Sequence, residues 1–162
     1  MAYLLDTNVF IEAKNRYYGF DICPGFWDWL VGENTAGRVS SIEKVGDEIR
    51  AADDPLAEWA EARGPGFFVA PDPAVLPALG RVSDWSQGQG YEPAAIATFL
   101  EGADFYLVAQ ALAHGHVVVT QEVPADTVRK VKIPNACIGL GVRHMNLFEM
   151  LRASRARFVL ER

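Results

Sequence analysis

Cysteine is scarce in this chain: only Cys23 and Cys137 occur in 162 residues, with no Cys-x-x-Cys or other metal-ligand spacing. This argues against a disulfide framework or a thiolate zinc site, and two buried free thiols in a reducing compartment are expected. Long apolar runs are also missing. No stretch approaches the roughly 18 to 20 residues of a membrane span, so no membrane partner is expected. The opening MAYLLDTN has no basic patch and reaches Asp6 almost at once, unlike a secretory signal, so the chain reads as cytoplasmic. Basic residues are sparse over most of the length. Residues 1–128 hold 7 Lys/Arg against 19 Asp/Glu, whereas residues 129–162 hold 8 against 2. The net charge of −6 thus conceals an acidic body and a basic tail. Such a pair can hold cations with one part and touch phosphates with the other, although a solvated C-terminal helix has the same composition.

What is present suits one globular core, and residues 1–162 are read as a single domain. Short apolar runs alternate with helical periodicity. Strands are predicted at Ala2–Leu5, Gly37–Ser41, Phe67–Ala70 and Val117–Val119, with a last one at Ala136–Ile138. Helices are predicted at Val9–Lys14, Pro24–Val31, Ile42 to about Ala52, Leu56–Arg63, Ala74–Trp85, Pro93–Leu100, Gly102–Ala113 and Leu147–Arg157, with Arg16–Pro24 irregular. The alternation implies an α/β fold, a three-layer α/β/α sandwich around a central parallel sheet of about four to five strands.

In open parallel sheets, ligands gather beyond the carboxyl ends of the strands. Asp6 follows the first strand and Glu122 follows Val117–Val119, so both acids belong at that edge if their strands are central. Asp104, in the first turn of the preceding helix, joins them if a right-handed crossover brings that helix start to the carboxyl edge. Each acid alone also suits a bland role: N-cap, helix-dipole partner or loop acid. Together they are the oxygen donors that a hard divalent ion requires. A fourth comes from the helix beginning at Ile42, whose buried stripe is Ile42, Val45, Ile49 and Ala52. At roughly 100° per residue, Glu48 lies about 80° from the stripe centre and Glu43 about 140°. Glu48 therefore borders the core, and Glu43 is held in reserve.

The blocks Tyr3-Leu4-Leu5-Asp6-Thr7-Asn8, Val45-x-x-Glu48-Ile49, Ala103-Asp104-Phe105-x-Leu107-Val108-Ala109-x-Ala111 and Val118-Val119-Thr120-x-Glu122 together resemble a PIN-domain nuclease. The aromatic stretch Tyr17-Tyr18-Gly19-Phe20 through Phe26-Trp27 further resembles PIN-like toxins encoded beside a helix-turn-helix regulator. The resemblance implies a Rossmann-like sandwich, Mg²⁺ or Mn²⁺ as cofactor and RNA as substrate. It implies Asp6, Glu48, Asp104 and Glu122 as catalytic acids, with Asp6, Asp104 and Glu122 on the metal and Thr7, Asn8 and Thr120 as polar neighbours. It also implies a helix-turn-helix antitoxin as partner, and a homodimer for which the PGFWDWLV helix offers an apolar surface. The expected chemistry is in-line attack by an activated water, leaving 5′-phosphate and 3′-hydroxyl ends.

Other signals are weaker. Arg129, Lys130, Lys132 and Arg143 are the RNA-binding candidates, and Lys130-Val131-Lys132 is read as a strand with both cations on one face. Trp27, Trp29, Trp59 and Trp85 suit base stacking, but large aromatics more often belong to the core. His114 and His116 sit where a helix stops, and Gly139-Leu140-Gly141 lacks the third glycine of a dinucleotide fingerprint. Two alternatives stand beside the endoribonuclease: a PIN-like module that only binds RNA or protein, and a haloacid-dehalogenase-type phosphatase. The phosphatase needs a second Asp two positions after the first, where Asn8 stands.

Overall fold

The computed structural model describes residues 1–160; Glu161 and Arg162, the end of the expected 1–162 domain, lie outside the described residues. Five strands form one parallel sheet: β1 (Tyr3–Leu5), β2 (Val39–Ile42), β3 (Phe68–Val69), β4 (Val117–Val119) and β5 (His144–Met145), in the order β3-β2-β1-β4-β5. β1 and β4 are central. Leu4, Leu5, Val117, Val118 and Val119 are buried, as continuous apolar strands covered on both faces must be. The strand order reverses between β1 and β4, and that is where an open parallel sheet leaves a crevice beyond its carboxyl ends.

The helices are α1 (Thr7–Glu12), α2 (Pro24–Thr35), α3 (Glu43–Arg50), α4 (Pro55–Glu61), α5 (Val75–Gln87), α6 (Pro93–Glu101), α7 (Ala103–His114), α8 (Ile133–Leu140) and α9 (Leu147–Ala153). They complete the three-layer sandwich read from the sequence. α5, α6, α7 and α8 pack on one another. α1 runs on into a π-helical turn, Ala13–Tyr17, whose last two residues fall in the segment read as irregular. Around α1, α2 and α4 lies an aromatic core. Phe10 sits 5.9 Å from Trp59 and 5.9 Å from Phe68, and Trp27 packs at 5.0 Å on Trp59 while its N–H donates to the Tyr18 carbonyl. Trp27 and Trp59 are therefore core residues, not base platforms. Phe26, Trp27 and Leu30 of α2 are buried in the same core, so the PGFWDWLV helix turns these side chains inward instead of offering them for pairing. Phe158 packs against Tyr18, Phe26 and Trp29 from the chain's far end.

Three expectations need correction. Ala136–Ile138 is not a strand but part of α8, which has Pro134 in its first turn and stops at Gly141, where φ is +71°. The fifth strand is instead His144–Met145, too short and too polar to show alternation. Lys130–Lys132 is not a strand either: Val131 is buried, Lys132 precedes α8 as its N-cap and Lys130 turns away. The last helix ends at Ala153, four residues early, and Arg155 follows in the left-handed region at φ 53°.

The start of α9 is tied to the crevice. Asn146 accepts the Glu149 amide at 2.9 Å, and the Glu149 carboxylate accepts the Asn146 amide in return, a reciprocal capping box. The next amide, from Leu147, donates to Gln121 beside Glu122. Asn146→Ala is expected to cost about 1 kcal/mol, lowering the melting temperature by roughly 2 to 4 °C. Calorimetry checks this.

Candidate active site at the carboxyl edge of the sheet

Asp6 stands at the junction of β1 and α1, where the Asp6 amide donates to the Val119 carbonyl and joins the two central strands. Although it occupies the N-cap position, its carboxylate makes no capping hydrogen bond to α1. It accepts instead from the Thr120 hydroxyl at 3.0 Å and is only 3% exposed. Burial raises its pKa most, and the charges of Asp104 and Glu122 raise it further. The Thr120 hydroxyl and Thr7 amide pull it back, and the balance is about 7. Asp104, in the first turn of α7, is likewise lifted to about 6 by burial and by Glu122 and Glu48, against the opposing charge of Lys130. The start of α7 thus does lie at the carboxyl edge, as the crossover argument required.

Glu48 reaches the cluster from α3. It is exposed, accepts the Thr7 hydroxyl at 2.6 Å and acts on Asp104. Glu43 lies instead beside Tyr106 and Gln110, in a separate small depression, whereas Glu48 lines the groove with Asp104. Glu122 is held from two directions. One carboxylate oxygen accepts Lys130 Nζ at 3.1 Å, the other accepts the Ile133 amide at 2.9 Å in the first turn of α8, and the side chain is 8% exposed. Its own amide donates to the Thr120 hydroxyl, so Thr120 links both ends of the cluster.

Of the remaining sequence candidates, Asn8 is exposed one residue beyond Thr7. Arg129 lines a groove with Lys130, whereas Arg143 precedes β5 at the amino side of that strand, away from the crevice. His114 pairs with Asp72 at 2.8 Å, and His116 Nδ1 accepts the Ala2 amide, so the His-x-His pair is structural.

The groove, about 490 Å³, is lined by Glu48 and Asp104, by Ala94, Thr98 and Phe99 of α6, and by Arg129 and Lys130. Sequence reasoning did not find its α6 wall. The available signal was Ala94 and Thr98, small side chains one helical turn apart that leave room above α7.

The donor set is all carboxylate, as Mg²⁺ or Mn²⁺ prefers, and two of the acids have pKa values raised by burial and then by their neighbours' charges. Among the described residues, no three of these side chains close on one point. Glu122 accepts from Lys130 and the Ile133 amide, and Glu48 from Thr7. The residues fit such an ion by chemistry.

Comparison with known proteins agrees with this architecture. A family model described as "Domain of unknown function (DUF4411)" matches residues 3–158. No curated protein matches. Among solved structures, a chain of the FitAB structure bound to an IR36 DNA fragment is similar in fold, with a TM-score of 0.54 at 22% identity. The match covers 89% of this chain and 94% of that one.

Proposed function

The chain belongs to the DUF4411 family and has a PIN-like fold, and from that premise we propose that it is a metal-dependent endoribonuclease, the toxin of a toxin–antitoxin pair. The observation that carries the reading is the meeting of Asp6, Glu48, Asp104 and Glu122 at the β1/β4 crevice beside a groove whose wall includes Arg129 and Lys130. Negative charge concentrated where a phosphate must approach has little use in a module that only binds RNA, whereas it suits hydrolysis assisted by a cation.

Asp6, Asp104 and Glu122 would hold Mg²⁺ or Mn²⁺, with Glu48 at the margin. Such an ion supplies acidified water and neutralises charge on the scissile phosphate. The chain's own part is orientation. Thr120 fixes the Asp6 carboxylate, Thr7 fixes Glu48, and the α8 amide fixes Glu122. Arg129 and Lys130, on the wall of the same groove, would position the RNA backbone. The FitAB likeness supports an antitoxin partner. A basic side chain from that partner, placed among the four acids, would silence the enzyme in the cytoplasm.

A mixed tRNA and mRNA pool incubated with Mn²⁺ is expected to be cut into discrete fragments, with EDTA stopping the reaction and added Mn²⁺ restoring it. Cleavage indifferent to EDTA would overturn the proposal. No cleavage of any RNA, with intact RNA still retained by the protein, would favour the binding module.

A further inference from the structure

We propose that Lys130 is a built-in counter-ion of the acid cluster, a tethered cation that competes with the divalent ion and sets its affinity. The inference rests on the metallonuclease reading and concerns how that same site is regulated.

Lys130 belongs to the loop between β4 and α8, which crosses the carboxyl edge without regular structure. Its side chain is 57% exposed, yet its ammonium is placed on Glu122, the more deeply buried partner. Solvent around the ammonium screens the pair on the Lys130 side, so its contribution to fold stability is modest. The ammonium's influence extends beyond Glu122. Partial burial works against its charge, but the Glu122 hydrogen bond and the charges of Glu122, Asp104 and Asp6 outweigh that and favour it. One cation therefore acts on three of the four acids.

Geometry gives the same reading. Lys130 takes one Glu122 oxygen and the Ile133 amide the other, so an ion that uses the first oxygen meets the ammonium's charge beside it, and no three acids converge on one point among the described residues. Releasing Lys130 frees one Glu122 oxygen while α8 still holds the other. It also returns a mobile cation to the wall of the groove that Lys130 shares with Arg129. Divalent binding and the Lys130–Glu122 contact thus compete, coupled through one carboxylate.

The test is Mn²⁺ binding to the full chain without RNA, read as free Mn²⁺ by electron paramagnetic resonance, in wild type, Lys130→Met, Lys130→Arg and Asp6→Asn. Removing a unit charge from this partly solvated site is expected to lower the Mn²⁺ Kd about tenfold in Lys130→Met. Lys130→Arg keeps the charge and is expected to stay close to wild type. Circular dichroism confirms that each variant is folded. Equal Kd values for Lys130→Met and wild type, with binding lost in Asp6→Asn, would leave the metal centre standing and overturn the counter-ion role. Weaker binding in Lys130→Met would overturn it too, by showing Lys130 to be a support of the site. No Mn²⁺ binding to any variant at millimolar concentration would overturn the metal centre and the counter-ion together.

Discussion

Asp6→Asn is expected to lower divalent-dependent RNA cleavage on the order of 10³-fold or more, the scale of losing a group that acts on transition-state charge, while making the metal-free protein more stable at neutral pH. Both effects have one origin. The Asp6 carboxylate is buried beside two other acids, and its pKa stands at about 7 against an ordinary 3.8. Between those values the folded state keeps a proton that the unfolded chain has lost, so wild-type stability falls as pH rises from about 4 to about 7. The raised Asp104 adds to the loss in the same direction. At 1.36 kcal/mol per unit of pKa, Asp6 accounts for about 2 to 4 kcal/mol above pH 7. Asn removes that charge and still accepts the Thr120 hydroxyl through its amide oxygen. At pH 8 with EDTA, Asp6→Asn should melt roughly 5 to 10 °C higher than wild type, the gain shrinking toward zero near pH 4. Saturating Mn²⁺ should raise wild type and leave the variant unmoved. A variant that melts lower than wild type at pH 8 would mean that Asp6 supports the fold instead of straining it.

The second large effect lies outside the acid cluster, where α5 crosses α8. A methyl group placed on Gly139 would sit 2.1 Å from Trp85 Nε1 and 2.6 Å from Cε2, far inside van der Waals contact. The indole is half-buried, 6.0 Å from the Tyr91 ring, so it has to move or push α8 away from α5. Gly139→Ala is expected to cost about 2 kcal/mol despite the better helix propensity of Ala, a fall in melting temperature of roughly 4 to 8 °C. Gly32→Ala, in α2 with nothing within 4 Å, is the matched control and should be neutral or slightly stabilising. Combining Gly139→Ala with Trp85→Ala separates the clash from any effect on α8 itself, because the loss should then be strongly non-additive. Since the first amide of α8 holds Glu122, a displaced α8 should also weaken Mn²⁺ binding. Wild-type melting of Gly139→Ala would show that the indole has a free place to go.

The framework was legible where burial imposes one pattern. β1 and β4 are apolar throughout, and the acids that follow them could be placed at the crevice before any coordinates, as could Glu48 from the phase of α3. Short or polar elements were harder to see. β5 consists of His144 and Met145, and its pairing with β4 leaves no mark in composition. α8 was mistaken for a strand at Ala136–Ile138 because a brief apolar run fits either structure, and Pro134 in its first turn was the overlooked signal. The Lys130–Glu122 contact was invisible for another reason. It depends on the path of an irregular loop, which periodicity does not describe, and two cations spaced i, i+2 suggested a strand face instead.

The central position of β1 also bears on when the site comes into being. The Thr120–Asp6 bond joins residues 114 positions apart, and β1 gains its β4 neighbour only from Val117 onward. During synthesis Asp6 is made more than a hundred residues ahead of Thr120 and waits for that stretch before its partner emerges. Glu122, Lys130 and the α8 amide come later still. A chain stalled before β4 would therefore carry the Leu-Leu-Asp-Thr-Asn motif without the neighbours that β4 and the loop after it bring to Asp6.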